Sequence, residues 1–320
     1  MSTTSRPVTE APTDTIPAPR TAGDTSGAEP PSVTGTRHAA PAPIHRTSPW
    51  VRALGYLVLI VFAVIYIYPF LIQIATSLKT DADATAHPLS LIPSTITTAA
   101  FRQLARQDYP RWLLNSTFIT VCVTAGRVFF DSLAGYALAR LKFRGRGAIT
   151  YAILAVLAVP GVVLLIPKFL VLNQLSIWST YRGMILPLVA DAAGIFIMKQ
   201  FFETIPVSVE EAARLDGAKP FRIFWSVVLP MARPALITLT ILSFQGSWNE
   251  FPHFLAANGN PKLYPLTQGV ATLISGGFGQ GNLFPLKLAA GLIMTIPVAI
   301  VFFAFQRYFV QNANAGAEKG

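Results

Sequence analysis

Six apolar stretches, each close to the ~20 residues that a helix needs to cross a hydrocarbon core about 30 Å thick, constrain this chain more than anything else in it. They run roughly over 53–78, 113–138, 148–172, 183–203, 231–250 and 286–310. The fourth and fifth are the weaker spans, each carrying polar residues. Pro69, Pro160, Pro167, Pro187 and Pro297 fall inside the stretches. Neighbouring helices and waters can satisfy the carbonyl that such a proline frees, so the pattern predicts kinked helices around a pathway. The expected fold class is all-α, a polytopic protein with six transmembrane helices in a lipid bilayer.

Charge fits that reading. Asp, Glu, Lys and Arg make up 12% of the chain, about half the share of an ordinary soluble domain. The net charge of +10 would suit nucleic acid, but its distribution has a better explanation. Arg37, Arg46 and Arg52 precede the first span, and Arg140, Lys142, Arg144 and Arg146 follow the second. Arg214, Lys219 and Arg222 lie between the fourth and fifth, and Arg307 ends the sixth. Dense basic clusters mark the cytoplasmic side, so both termini are expected there and no nucleic-acid partner is expected. Lys79, Arg102, Arg106, Arg111, Arg182 and Lys262 are spread more thinly over the opposite side.

Residues 1–48 are rich in Pro, Thr, Ala, Ser and Gly. They hold too little apolar area to offset the entropy of ordering, which predicts a disordered cytoplasmic tail ahead of a membrane domain over 49–320. The first apolar run starts near Val51, too late for a cleavable leader, and is expected to stay in the mature protein. Cys122 sits alone in an apolar run and reads as a small buried residue. His38, His45, His87 and His253 have no ligand spacing, so no metal site is expected. No nucleophile–base constellation stands out.

The most informative segment is EEAARLDGAKPFRIFWSVVLPMARP, from Glu210 to Pro234. Pro206 ends the fourth span, and Ser208 with Glu211 has the spacing of a capping box that opens a short helix. Ala212 and Ala213 give that helix a surface another backbone can approach. Gly217 is placed to stop it in a left-handed cap, and Pro220 suits the first turn of a second helix. Phe221, Phe224 and Trp225 then supply a bulky apolar face, either exposed for a soluble partner or packed on the protein's own spans.

This string resembles the EAA loop of bacterial ABC-importer permeases. The pattern is Glu211-Ala212-Ala213, three residues, Gly217, nine residues, an aliphatic (Val227 here), one residue, then Leu229-Pro230. Tyr136-Ala137-Leu138-Ala139-Arg140 with Phe143-Arg144-Gly145, Trp248-Asn249-Glu250-Phe251, and Gln306-Arg307-Tyr308-Phe309-Val310 look like the carbohydrate branch of that family. The resemblance implies the type I importer permease fold. It also implies that the loop at 208–230 docks an ATP-binding subunit through Glu211, Ala212, Ala213, Asp216, Gly217, Phe221 and Phe224. Glu211 would pair with a basic residue of that subunit, unless it only caps its own helix. Further implied partners are a second permease in a heterodimer, two ATP-binding subunits that hold ATP and Mg, and an extracytoplasmic sugar-binding protein. The chain itself would bind no cofactor and would not be an enzyme. It would sit in the bacterial cytoplasmic membrane and pass a carbohydrate into the cell.

Several residues stay open between two roles. Arg127 and Asp131 stand four apart in the second span, as a structural pair or as pathway lining, because charge at bilayer depth faces an interior or a cavity. Asp191 lines the pathway or bonds Arg127 across helices. Trp248, Asn249 and Glu250 close the fifth span as an interfacial anchor or as a sugar contact. Residues 258–284, with Asn258, Gly259, Gly276 and Gly277, read as a mobile loop or as the element that meets the binding protein. The run LISGGFGQ (273–280) superficially matches an ATPase signature, but the chain has no phosphate loop. The alternative class is an ion-gradient-driven secondary transporter, which would need inverted repeats.

Overall fold

The computed structural model describes residues 48–275 and 283–317. Residues 1–55 form one unit, of which the described part, 48–55, is the exposed opening of the first helix. Residues 56–320 form the other. Among the described residues there are helices and connections and no strand. In order the helices are α1 (Pro49–Ser77), α2 (Asp81–Ala86), α3 (Ala99–Arg106), α4 (Tyr109–Arg140), α5 (Arg146–Ala158), α6 (Leu165–Gln174), α7 (Tyr181–Ile185) and α8 (Ala192–Thr204). There follow α9 (Val207–Leu215), α10 (Pro220–Ile223), α11 (Leu229–Met231), α12 (Arg233–Trp248), α13 (Pro252–Ala257), α14 (Leu266–Ser275) and α15 (Phe284–Ala317).

Four of the expected spans are long and apolar: Pro49–Ser77, Tyr109–Arg140, Phe284–Gln306, and Tyr181–Thr204, which is interrupted between α7 and α8. The other two are bent. Arg146–Leu157 meets Gly161–Gln174 at 101°, and Pro220–Met231 meets Arg233–Trp248 at 82°. The third span, expected over 148–172 with Pro160 and Pro167 inside it, is thus a broken pair, in line with the kinks those prolines predict. Pro160 explains the break: it has no N–H to give the preceding turn, and it sits extended at φ −60°, ψ 129°. The loop expected over 258–284 is corrected: it contains a helix, α14.

α4 is the central post. Lipid is as apolar as leucine, so helices in a membrane associate through close packing and hydrogen bonds, and small residues permit the closest approach. A Cβ on Gly135 would lie 2.8 Å from Met198 Cβ and 2.9 Å from the Lys199 backbone N, and one on Gly126 would lie 2.8 Å from Val189 Cβ. Those two glycines let α8 and the turn before it lie against α4. Around one end of α4 a core gathers Tyr136, Met198, Phe202, Ile223, Phe224 and Val228. A second, with Tyr109, Trp112, Trp248, Leu266 and Ala290, lies around the other end.

The segment after α1 is folded by polar groups. Lys79 is 1% exposed, and its ammonium donates to the carbonyls of His87 and Ser90, both at 2.7 Å. Asp83 accepts from the Ser94 hydroxyl at 2.7 Å and the Ser94 N–H at 2.9 Å. Chiefly the Ser94 hydroxyl, then its N–H, hold the Asp83 carboxyl below the usual carboxylate range against the opposing effect of burial. A carboxyl lowered in the folded state stabilises the segment above its unfolded pKa, and that contribution is lost as pH falls through the lowered value. Protection of the Ser94 amide from hydrogen exchange is thus expected to persist through the ordinary carboxylate range and to fail only below it. Asp83→Asn should abolish that acid step; an unchanged profile would refute the assignment.

Candidate functional site

The α9–α10 turn is built much as its residues suggest, with one correction. α9 starts at Val207 with Pro206 as N-cap, and no side chain caps it. Ser208 is therefore inside the first turn and the expected Ser208–Glu211 capping box does not form; the extended Pro206 (ψ 133°) sets the helix start instead. The other end is as expected. The Ala218 N–H reaches the Ala213 carbonyl at 3.0 Å, the Gly217 N–H reaches that of Arg214 at 2.9 Å, and Gly217 takes φ +78°. These are the paired bonds of a Schellman cap, which needs a left-handed residue and so favours glycine. Pro220 opens α10, which passes through a π-helical turn over Phe224–Val228 into α11.

The two faces of α9 differ sharply. Glu210 is its one buried residue, 1% exposed. Its Oε1 lies 2.9 Å from Arg140 Nε, at the last residue of α4, and the Tyr136 hydroxyl donates to its Oε2 at 3.1 Å. Arg140 Nη2 also donates to the Phe202 carbonyl at 2.6 Å and to that of Ile205. A guanidinium at the C-terminal end of α8 adds a donor to carbonyls there and suits the negative end of the helix. One side chain thereby ties α4, α8 and α9 together. Arg214 Nη2 stands 3.7 Å from Glu210 Oε2, with its side chain half exposed.

On the opposite face Glu211, Ala212, Leu215, Asp216 and Gly217 are exposed, Leu215 at 89%. Beside them Phe221 (63% exposed) and Trp225 (52% exposed) stack at 6.4 Å with an interplanar angle of 13°. Ala213 is half-buried. Phe224 is 2% exposed and packs on Tyr136 at 5.0 Å, so its place on an exposed aromatic face is corrected: it belongs to the core. The helical repeat explains the split between neighbours, since adjacent residues point about 100° apart.

The Glu210–Arg140–Tyr136 cluster was not anticipated from sequence. Two signals could have found it. Adjacent glutamates on a helix cannot both face a partner, and Tyr136 and Arg140 share one face of α4 at four-residue spacing.

The intramembrane charges are arranged differently from expectation. Arg127 and Asp131 do not pair with each other. Arg127 Nε donates to the Leu188 carbonyl at 2.7 Å, and fully buried Asp131 accepts the Asp191 N–H at 2.9 Å. Asp191 in turn caps α8, accepting from the Gly194 N–H at 3.3 Å. All three serve the break between α7 and α8, where backbone groups lack helical partners. Trp248 is neither an interfacial anchor nor an open contact: it is 2% exposed, stacks on Phe244 and donates to the Met294 carbonyl at 3.1 Å. Asn249 is exposed, and Glu250 accepts the His253 N–H at 2.8 Å. An apolar groove of about 520 Å³ runs between α4 and α12, lined by Val121, Thr124, Val128, Trp225, Leu236 and Phe244 among others. The six residues singled out for the pathway do not line it.

Of the loop residues, Asn258 is buried and bonded to Gln268, which corrects its expected outward role, while Gly259 is exposed. Gly276 and Gly277 lie outside the described residues, as do the side chains of Arg307 to Val310. Among the described residues no three His, Cys, Asp or Glu side chains group as metal ligands.

Residues 131–314 match the family model described as the binding-protein-dependent transport system inner membrane component. The chain is 30% identical to an arabinooligosaccharides transport system permease protein, AraQ, of Halalkalibacterium halodurans, over 86% of this chain and 99% of that one. It is 34% identical to the trehalose transport system permease protein SugB of Mycobacterium tuberculosis, over 76% and 90%. Among solved structures it is similar to a chain of a bacterial ABC transporter involved in the import of the acidic polysaccharide alginate. That match has a TM-score of 0.73 and 26% identity, and covers 84% of this chain and 100% of that one.

Proposed function

Because the chain belongs to the binding-protein-dependent transport system inner membrane components, we propose that the exposed face of α9, with the Phe221–Trp225 stack, is where an ATP-binding subunit docks. The chain is a non-enzymatic permease component of an ABC importer, with ATP hydrolysis in separate subunits. The observation that carries the docking reading is the division of α9. One face is anchored in the core by Glu210, and the other presents Glu211, Ala212, Leu215 and Asp216 to a partner. An exposed leucine and two exposed aromatic rings, rimmed by carboxylates, suit a cleft with apolar walls and a basic residue. Glu211 is the group that pairs with that basic residue.

The remaining assignments extend this reading. The α9 end faces the cytoplasm, both termini lie inside, and the membrane is the bacterial plasma membrane. A second, similar permease completes the pathway in a heterodimer, two ATP-binding subunits carry the ATP and Mg, and an extracytoplasmic binding protein delivers the substrate. The substrate is a carbohydrate, as the arabinooligosaccharides and trehalose relatives suggest. The family match gives no support to the ion-gradient-driven alternative.

The test is capture. Single cysteines at Glu211, Leu215 or Phe221, on a Cys122→Ser background, are expected to crosslink to the ATP-binding subunit in the assembled importer. A cysteine at Leu114, near the opposite end of α4, should not. Failure of all three in a transport-competent complex would overturn the reading.

A further inference from the structure

We propose that the Glu210–Arg140 pair is the strut through which displacement of α9 reaches the membrane-spanning post α4, making both positioning residues for transport. The proposal rests on the docking reading above and adds a force path to it. α9 buries one side chain, and that side chain is a carboxylate. Val207 and Leu215, the aliphatic residues at its two ends, are 51% and 89% exposed, and the apolar packing of α9 rests on small, half-buried groups such as Ala213. Its polar attachment is the 2.9 Å ion pair to Arg140, a charge contact without hydrogen-bond alignment, together with the Tyr136 hydroxyl bond, and both of those partners are on the last turns of α4. Arg140 simultaneously grips the carbonyls of Phe202 and Ile205. A partner pushing on the exposed face therefore moves α4 and the end of α8 with it. α4 lines the groove against α12 through Val121, Thr124, Val128 and Phe129, so motion of the post alters that groove directly. Rigid elements joined by specific contacts are what carry coupling between distant sites.

The test places spin labels at Leu215→Cys on α9 and Leu114→Cys on α4, both exposed positions, in the importer assembled with its partner subunits on a Cys122→Ser background. Distances are read with and without trapping by Mg-ATP and vanadate. With the strut intact, the two labels should keep one narrow separation in both states. In Glu210→Gln, which keeps the side chain's volume but not its charge, trapping should shift that separation by several ångströms and broaden it. An unchanged narrow separation in Glu210→Gln would overturn the strut. Should Glu210→Gln fail to assemble, Arg140→Lys carries the test, since it keeps the charge but cannot reach Glu210 and the carbonyls of Phe202 and Ile205 together. It should broaden the distribution on trapping to a smaller extent, and an unbroadened distribution would equally overturn the strut. The docking reading fails separately, if the ATP-binding subunit is not captured from Leu215→Cys in the unmodified background.

Discussion

Arg140→Ala is expected to cost the folded protein about 3–5 kcal/mol, the range for removing one partner of a buried ion pair. The loss has a definite origin. The Glu210 carboxylate would remain 1% exposed without its guanidinium, and the carbonyls of Phe202 and Ile205 would lose a donor. Arg214 cannot substitute, because it stands 3.7 Å away on a half-exposed side chain, and such rim pairs contribute less than about 1 kcal/mol. Unfolding of the purified protein from detergent micelles, titrated with a denaturing detergent, would measure the loss. Replacing both partners by methionine should cost much less than the two single substitutions added together, because no uncompensated charge stays behind. Strict additivity would show that the two residues do not act as a pair.

Gly135→Leu should be similarly damaging, at about 3 kcal/mol, toward the upper end for overpacking a close contact. The first added atom would already lie 2.8 Å from Met198 Cβ, 2.9 Å from a backbone nitrogen and 3.1 Å from a backbone oxygen of α8. Backbone cannot rotate away as a side chain can, so α4 and α8 must separate. Separation would pull apart the core of Tyr136, Met198 and Phe202 that lies between them. Gly147→Ala in α5 is the control. Nothing lies within 4 Å of its added carbon, and alanine is favoured over glycine inside a helix by roughly 0.5–1 kcal/mol. The same unfolding titration should give a large loss for the first variant and none for the second. Comparable stability of the two would refute the close-approach account.

What was legible in the sequence was local. Length and hydropathy located the spans, and the left-handed Gly217 and the leading Pro220 follow from the chemistry of single residues. The failures share a cause. Four-residue spacing shows that Arg127 and Asp131 can meet on one helix, but not that the facing helix breaks and offers Leu188 O and Asp191 N–H instead. Trp248 reads as an anchor because it ends an apolar run, yet it lies under Phe244 and the Met294 carbonyl, contributed from far along the chain. Phe224 and Phe221 are three residues apart and look alike in sequence, with rings 6.3 Å apart, yet only Phe224 reaches inward to meet Tyr136 and Phe202. The candidate site was half visible for that reason. Its outward residues announce themselves by type, whereas its anchor depends on a partner seventy positions away.

The 82° elbow at Ala232 bears on how such a machine is geared. Pro220–Met231 and α12 meet almost at right angles, and Ala232, wholly buried, stands at the corner. A thrust delivered along the shorter arm has almost no component along the longer one. It meets α12 broadside at the Ala232 end, so an axial load on the shorter arm pushes that end sideways instead of sliding the helix along its own axis. Because the load arrives at the Ala232 end, the sideways displacement is largest there and falls off along α12 with distance from the elbow.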